Sequence, residues 1–282
     1  MLGVGVRIPT GGCRPSTPEI FVRELGRLCN TDPGSNISQR LKIVPNTIVE
    51  APTMETEYRR LAELISANAS SHPKSRYIVA IAGAPGSGKT TTATAIASQL
   101  NTGFSHRAAV LSMDGFHLPR STLDRLPNSK EAYIRRGAPW TFDAAAFVAF
   151  MRRLRSWADM TPSAMGGIYA PTFDHETKDP VANGVMIPDN TSIIIVEGNY
   201  LLLDEDPWRD VAALVDYRVF VDVDLQEARL RLAKRHMAAG IEPTVEAGLQ
   251  RVDANDYLNG LLIKEKLIRP DLVVRSVANG LP

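Results

Sequence analysis

Cysteine is nearly missing: the 282 residues hold two, Cys13 and Cys29, both close to the start. That excludes a disulfide framework and fits a reducing compartment, so a cytoplasmic location is expected. Long apolar runs are missing too. A bilayer crossing needs about 18 consecutive apolar residues, and the apolar runs here, such as those at 192–196 and 201–203, are strand-sized. There is no excess of one charge: 32 Lys and Arg face 31 Asp and Glu, for a formal net charge of +1. Neither nucleic acid nor a membrane is therefore expected as a partner. The five histidines and two cysteines show no zinc-ligand spacing. A secretory h-region is absent. Residues 1–18 carry Arg7 and Arg14 and no acid before Glu19. Their Gly and Pro oppose the helix of a mitochondrial presequence, so a poorly ordered extension is the expectation ahead of mitochondrial targeting.

Residues 1–53 are broken by prolines and glycines, with one short helix expected near 19–28. Regular structure begins at 54, and residues 54–282 are expected to form the folded domain. Tyr58, Leu61, Ala62 and Ile65 share a helical face. Apolar runs at 77–82, 108–113, 193–196 and 217–223 read as buried strands, and 271–277 as a last one. Helical patterns follow at 91–100, 144–155, 225–239 and 244–267, with Asp143 placed to cap the second and Gly240 to close the third. Residues 161–190 show little period and read as a long functional loop. Buried strands alternating with helices predict an α/β fold, a parallel sheet covered on both faces.

The first of these strands runs into Gly83-Ala84-Pro85-Gly86-Ser87-Gly88-Lys89-Thr90, a full G-x-x-x-x-G-K-[ST] match followed by Thr91 and a helix. Glycines let the backbone curl so that successive N–H groups converge on an anion. The helix start adds positive partial charge. Lys89 supplies a point charge for the β- and γ-phosphates, and the Thr90 hydroxyl suits Mg²⁺, which prefers hard oxygen ligands. A chance glycine turn would lack the entering strand and the leaving helix. ATP and Mg²⁺ are the expected ligands.

Phosphoryl transfer to an alcohol also needs a carboxylate to orient the hydroxyl and take its proton, and positive charge for the phosphoryl oxygens. Asp114, at the end of the second strand and followed by Gly115, is the candidate base. As a lone residue it reads equally as a turn cap. Glu197 follows Ile193-Ile194-Ile195-Val196 at a third strand end and could hold a Mg²⁺-bound water or contact the acceptor; alone it also reads as a strand-end Glu facing solvent. Arg231 and Arg235 are four apart on one helix with Lys234 nearby, and spacing alone leaves them a solvated basic face. Phe116 and His117 follow Asp114 directly. Arg135 and Arg136 precede Gly137-Ala138-Pro139 and could meet an acidic part of a substrate. His175 lies in Tyr169-Ala170-Pro171-Thr172-Phe173-Asp174-His175 and could hydrogen-bond an acceptor.

Taken in order, these segments resemble the phosphoribulokinase/uridine kinase family of P-loop kinases, which includes bacterial-type pantothenate kinases. The resemblance spans residues 77–277. Asp114-Gly115-Phe116 and the run from Arg135 to Asp143 look most like the pantothenate kinase branch. Residues 221–224 with Arg231-Leu232-Ala233-Lys234-Arg235 look more like uridine kinases. Residues 174–180 match neither branch, and the whole is closest in look to uridine-kinase-like ATP-dependent kinases of fungi and bacteria. The resemblance implies a P-loop NTPase fold with a helical lid. It implies Asp114 as general base, Lys89 and Thr90 on ATP and magnesium, Arg231 and Arg235 in the lid, and the His175 segment beside the acceptor.

The expected activity is ATP-dependent phosphorylation of a hydroxyl on a nucleoside-, pantothenate- or sugar-like metabolite. A GTPase would carry Asn-Lys-x-Asp and an ABC-type ATPase Ser-Gly-Gly, and neither occurs. The other alternative is a nucleotide-binding regulatory or assembly protein without turnover. The sequence does not decide between a monomer and a homo-oligomer.

Overall fold

The computed structural model describes residues 54–163 and 166–276. The extension expected at 1–53, its short helix and the targeting question lie outside these residues. Five strands form one parallel sheet: β1 (Tyr77–Gly83), β2 (Ala108–Ser112), β5 (Ile193–Gly198), β6 (Tyr217–Asp222) and β7 (Leu272–Arg275), in the order β2-β5-β1-β6-β7. Alternate residues of β1 point to opposite faces. Ile78, Ala80 and Ala82 pack into a core with α5 (Ala144–Asp159), while Tyr77, Val79 and Ile81 pack into a second core with α1 (Met54–Ser71) and α2 (Lys89–Gly103). Burial on both faces explains why the strands read as continuous apolar runs. Among the described residues no helix is long and apolar enough to cross a membrane.

Most expected elements are present, with shifted ends. Asp143 caps α5, its carboxylate accepting from the Ala146 N–H at 2.9 Å. The polar stretch after β2 carries two short helices, α3 (Arg120–Leu123) and α4 (Ser129–Ile134). The single helix expected at 244–267 is two, α7 (Val245–Ala254) and α8 (Asp256–Glu265), broken where Asn255 leaves helical geometry at φ −141°, ψ −72°. With α6 (Leu225–Ala238) they form a helical layer beside the strand ends.

The largest difference lies at 161–190. Instead of a loop it contains an antiparallel ribbon, β3 (Gly167–Asp174) and β4 (Asp179–Pro188). Pro171 sits at its bulge, and a two-stranded ribbon tolerates the Pro, Asn and Gly that obscured it in the sequence. Arg76 ties this ribbon to the sheet. Its buried guanidinium donates to the carbonyls of Trp157, Met160 and Asp189 at 2.8–2.9 Å and to the Asp189 carboxylate at 2.5 Å, and lies 4.0 Å over the Trp157 ring. Asp189 directly follows β4, so the pair joins β1, α5 and the ribbon. Removing Arg76 leaves the Asp189 carboxylate with the Trp157 Nε1–H and Ser163 N–H alone and takes a donor from the carbonyls of Trp157, Met160 and Asp189. Arg76→Ala should therefore lower stability by about 3–5 kcal/mol in urea denaturation, and Arg76→Lys, with no planar fork, should recover only part of it. A loss within 0.5 kcal/mol (roughly the range of an ordinary surface substitution) would contradict this anchor.

Candidate active site

The carboxyl ends of β1, β5 and β2 lie side by side. Ala82 of β1 pairs with Gly198 of β5, and Ser112 of β2 pairs with Glu197. Strands are spaced about 4.8 Å apart, so the tips of β1 and β2 are roughly 10 Å apart with β5 between them. Each tip delivers one part of the site.

The loop after β1 curls at Gly86 (φ 79°) and Gly88 (φ 88°), both in the left-handed region. A Cβ on Gly83 would stand 2.5 Å from Ser87 Oγ and 2.8 Å from the Val221 carbonyl, so only glycine fits. Gly88 caps α2 with no side-chain hydrogen bond, which leaves the first-turn N–H groups of Lys89, Thr90 and Thr91 for a ligand. The Ser87 hydroxyl is buried without a partner. An uncapped helix start, a curled backbone and an orphaned buried hydroxyl fit a polyphosphate. Thr90 Oγ1 donates to Glu197 Oε2 at 3.0 Å, and Glu197 is buried. A hydroxyl and a carboxylate in contact at the phosphate loop also suit Mg²⁺, which takes few protein ligands beside phosphate oxygens.

Asp114 lies just past the end of β2, as the sequence suggested, on a one-turn 3₁₀ helix (Met113–Phe116). Ser112 Oγ accepts from its N–H at 3.2 Å. The ribbon lies directly on this turn: a Cβ on Gly115 would come within 2.3 Å of the Pro171 carbonyl. His117 Nδ1–H donates to the Asp114 carbonyl at 2.9 Å, and its ring is sandwiched between Phe142 (3.9 Å) and Phe173 (4.8 Å). Burial lowers the His117 pKa, opposed by Asp114 and helped by Arg136 and His175. Neutral His117 therefore leaves Nε2 as an acceptor. His175 is exposed at the ribbon tip, edge-on to Phe173 at 5.4 Å.

Two expectations need correction. Phe116 does not face a substrate: it is buried against Phe147 and Phe150 in the core. Arg136 is not a free cation: it donates to the Leu118 carbonyl, pairs with Asp179 at 3.5 Å and lies over Phe173, so it fastens its loop to the ribbon. Arg135 has no such acidic partner among the described residues; it donates to Asn259 Oδ1 at 3.2 Å.

The helical layer reaches the phosphate loop at two points. A Cβ on Gly86 would touch the Ala228 carbonyl and Leu232 of α6, and one on Gly260 of α8 would lie 3.6 Å from Ala84. Arg231 pairs with Glu227 and donates to Ser276 Oγ at 2.8 Å; that hydroxyl lies near Gly88. Arg235 is exposed, and its charge acts on the Asp256 carboxyl. Asp256 was missed in the sequence. Burial raises its carboxyl pKa, opposed by His236, Arg235, Arg251 and Lys89, which places a carboxylate of α8 in the field of the phosphate-loop lysine. Tyr200, also missed, is fully buried; its hydroxyl donates to the Gly137 carbonyl at 2.5 Å and lies in the fields of Asp256, Arg135 and Asp114. An Asn-Asp pair interrupting a helical pattern was the available signal for Asp256.

A parallel sheet with a glycine-rich loop between its central strand and a helix defines a P-loop NTPase. Residues 78–238 match the Phosphoribulokinase / Uridine kinase family, and the chain belongs to that family, a group of phosphotransferases acting on hydroxyl groups. A Schizosaccharomyces pombe protein provisionally named a uridine kinase is 35% identical over 233 residues, covering 81% of this chain and 94% of its own. A Silicibacter sp. TM1040 structure, provisionally described as a fructose transport system kinase, is 29% identical with a TM-score of 0.66, covering 77% of this chain and 98% of its own. YFH7 of Saccharomyces cerevisiae has the same TM-score of 0.66 at 23% identity, covering 77% of this chain and 98% of its own, a likeness of fold.

His117 supplies a test of the site's packing. A folded-state pKa below the ordinary 6.5 means stability that is complete above that value and lost as pH falls through the folded-state pKa. His117→Gln should flatten the fall of melting temperature below pH 6.5. An unchanged acid limb would place the imidazole in water.

Proposed function

We propose that this protein transfers the γ-phosphoryl group of ATP to a hydroxyl of a nucleoside-, pantothenate- or sugar-like metabolite. The supporting observation is that the phosphate loop, Glu197 and Asp114 occupy three adjacent strand ends, with Thr90 bonded to Glu197 at the centre. Residues 83–91 hold the triphosphate through backbone N–H groups, and Lys89 meets the β- and γ-phosphates. Thr90 and Glu197 are the residues that would hold Mg²⁺, which when bound neutralises phosphate charge. Asp114 orients the acceptor hydroxyl for in-line attack and takes its proton as the O–P bond forms and the γ-phosphorus–oxygen bond to ADP breaks. Arg231 and Arg235 approach from the helical layer and meet the equatorial oxygens. His117 at the base of the ribbon and His175 at its exposed tip flank the acceptor, and the ribbon together with the helical layer excludes water.

Lys89→Ala should weaken ATP binding and lower turnover together. Asp114→Asn should leave ATP affinity nearly intact and lower kcat by roughly 10²–10⁴-fold, read by nucleotide titration and steady-state kinetics. Loss of ATP binding in Asp114→Asn would overturn the base assignment. Tight ATP binding by the wild type with no metabolite-stimulated turnover would instead support a nucleotide-binding regulatory protein.

A further inference from the structure

A polar seam joins the loop after α4 to the start of α8. The Arg136 carbonyl accepts from Asn255 Nδ2 at 2.8 Å, Asn255 Oδ1 accepts from Asn259 Nδ2 at 3.1 Å, and Asn259 Oδ1 accepts from Arg135 Nη2 at 3.2 Å. Asn255 and Asn259 are buried. Each amide fixes the orientation of the next, so the relay ends in a carbonyl oxygen aimed at the Arg135 guanidinium. The next residue is pinned from both sides: the Gly137 carbonyl accepts from Tyr200, and its N–H donates to Thr141 Oγ1 at 2.9 Å.

The relay is neutral throughout. Arg135 is half-buried, its Nε is buried without a partner, and it forms no ion pair among the described residues. Arg136 beside it is paired with Asp179. Asp256, the acid at the start of α8, lies in the fields of His236, Arg235, Arg251 and Lys89. A partly desolvated guanidinium held only by a neutral amide is costly until an anion completes it. Its place identifies the anion's owner. The 135–142 loop bonds to the segment that follows Asp114, through Leu118 N–H to the Thr141 carbonyl (2.9 Å) and Asp143 N–H to the Phe116 carbonyl (2.8 Å). Arg135 thus begins the segment that bonds to the Asp114 turn, and it shares the surroundings of the Tyr200 hydroxyl with Asp114.

We infer that the acceptor is an anionic alcohol whose carboxylate or phosphate seats on Arg135, with Asn259 and Asn255 as positioning residues. The inference rests on the kinase reading above and narrows its substrate class. A guanidinium fork suits either anion bidentately.

The test uses the whole protein with ATP and three matched pairs: D-glycerate with glycerol, pantothenate with pantothenol, and ribulose 5-phosphate with ribulose. The pair that responds distinguishes carboxylate from phosphate. In the responding pair, kcat/KM should favour the anionic member by about 10- to 100-fold. Arg135→Gln should abolish that preference by raising the acceptor KM, with the KM for ATP unaffected. Asn259→Asp keeps the guanidinium but gives it a resident carboxylate, and it should raise the acceptor KM in the same way. A merely structural role for the seam would instead lower stability and kcat without separating the two KM values. Equal use of neutral and anionic members overturns the inference and leaves the kinase reading standing. So does an Arg135→Gln defect confined to ATP. Calorimetric binding of the same compounds separates the remaining outcomes. Arg135-dependent anion binding without phosphorylation supports this inference and counts against the kinase reading. No Arg135-dependent binding overturns the inference.

Discussion

The strand order imposes a constraint that the whole site depends on. β5 is wedged between β1 and β2, so its carboxyl end must serve two neighbours at once. Glu197 meets that demand by accepting from Thr90 at 3.0 Å on the β1 side while pairing in register with Ser112 on the β2 side. Ser112 in turn accepts from the Asp114 N–H. Two hydrogen bonds, joined by the register pairing of Glu197 with Ser112, thus connect the phosphate loop to the candidate base, and the roughly 10 Å span between the β1 and β2 tips is filled by one strand's width of protein.

Two attachments turn that frame into an enclosed site. On one side the ribbon lies on Gly115 so closely that no side chain fits, and the Arg76–Asp189 pair fastens the ribbon's far end to the sheet. On the other, α6 and α8 rest on Gly86 and Ala84. The loop from Arg135 to Thr141 bridges the two, through Arg136 to the ribbon and through the Asn255–Asn259 relay to α8. Movement of the helical layer would therefore be felt both at the phosphates and at Arg135, which suits a site that must close on two substrates.

The sheet was legible because its strands are buried on both faces and carry uninterrupted apolar runs. The phosphate loop was legible because its chemistry requires particular residues at fixed spacing. The ribbon was hidden by Pro171, Pro180, Asn183 and Gly184, which a two-stranded element with both edges unpaired accepts and a sheet interior would not. Phe116 misled because adjacency to Asp114 in sequence says nothing about which way a side chain points, and on the short turn it points into the core. The distinction between Arg135 and Arg136 could not be read locally: what separates them is Asp179 on the ribbon and Asn259, 124 residues after Arg135. Asp256 was passed over for a related reason, since only the folded chain brings it into the field of Lys89.

Asp114 and the phosphate loop are proposed to act on one transferring group. ATP labelled at the γ-phosphate, incubated with the protein and a small-metabolite extract, tests it most directly. Label is expected on an alcohol oxygen of an organic acceptor with the wild type, and little or none with Asp114→Asn. Label released only as inorganic phosphate, or equal transfer by both proteins, would contradict it.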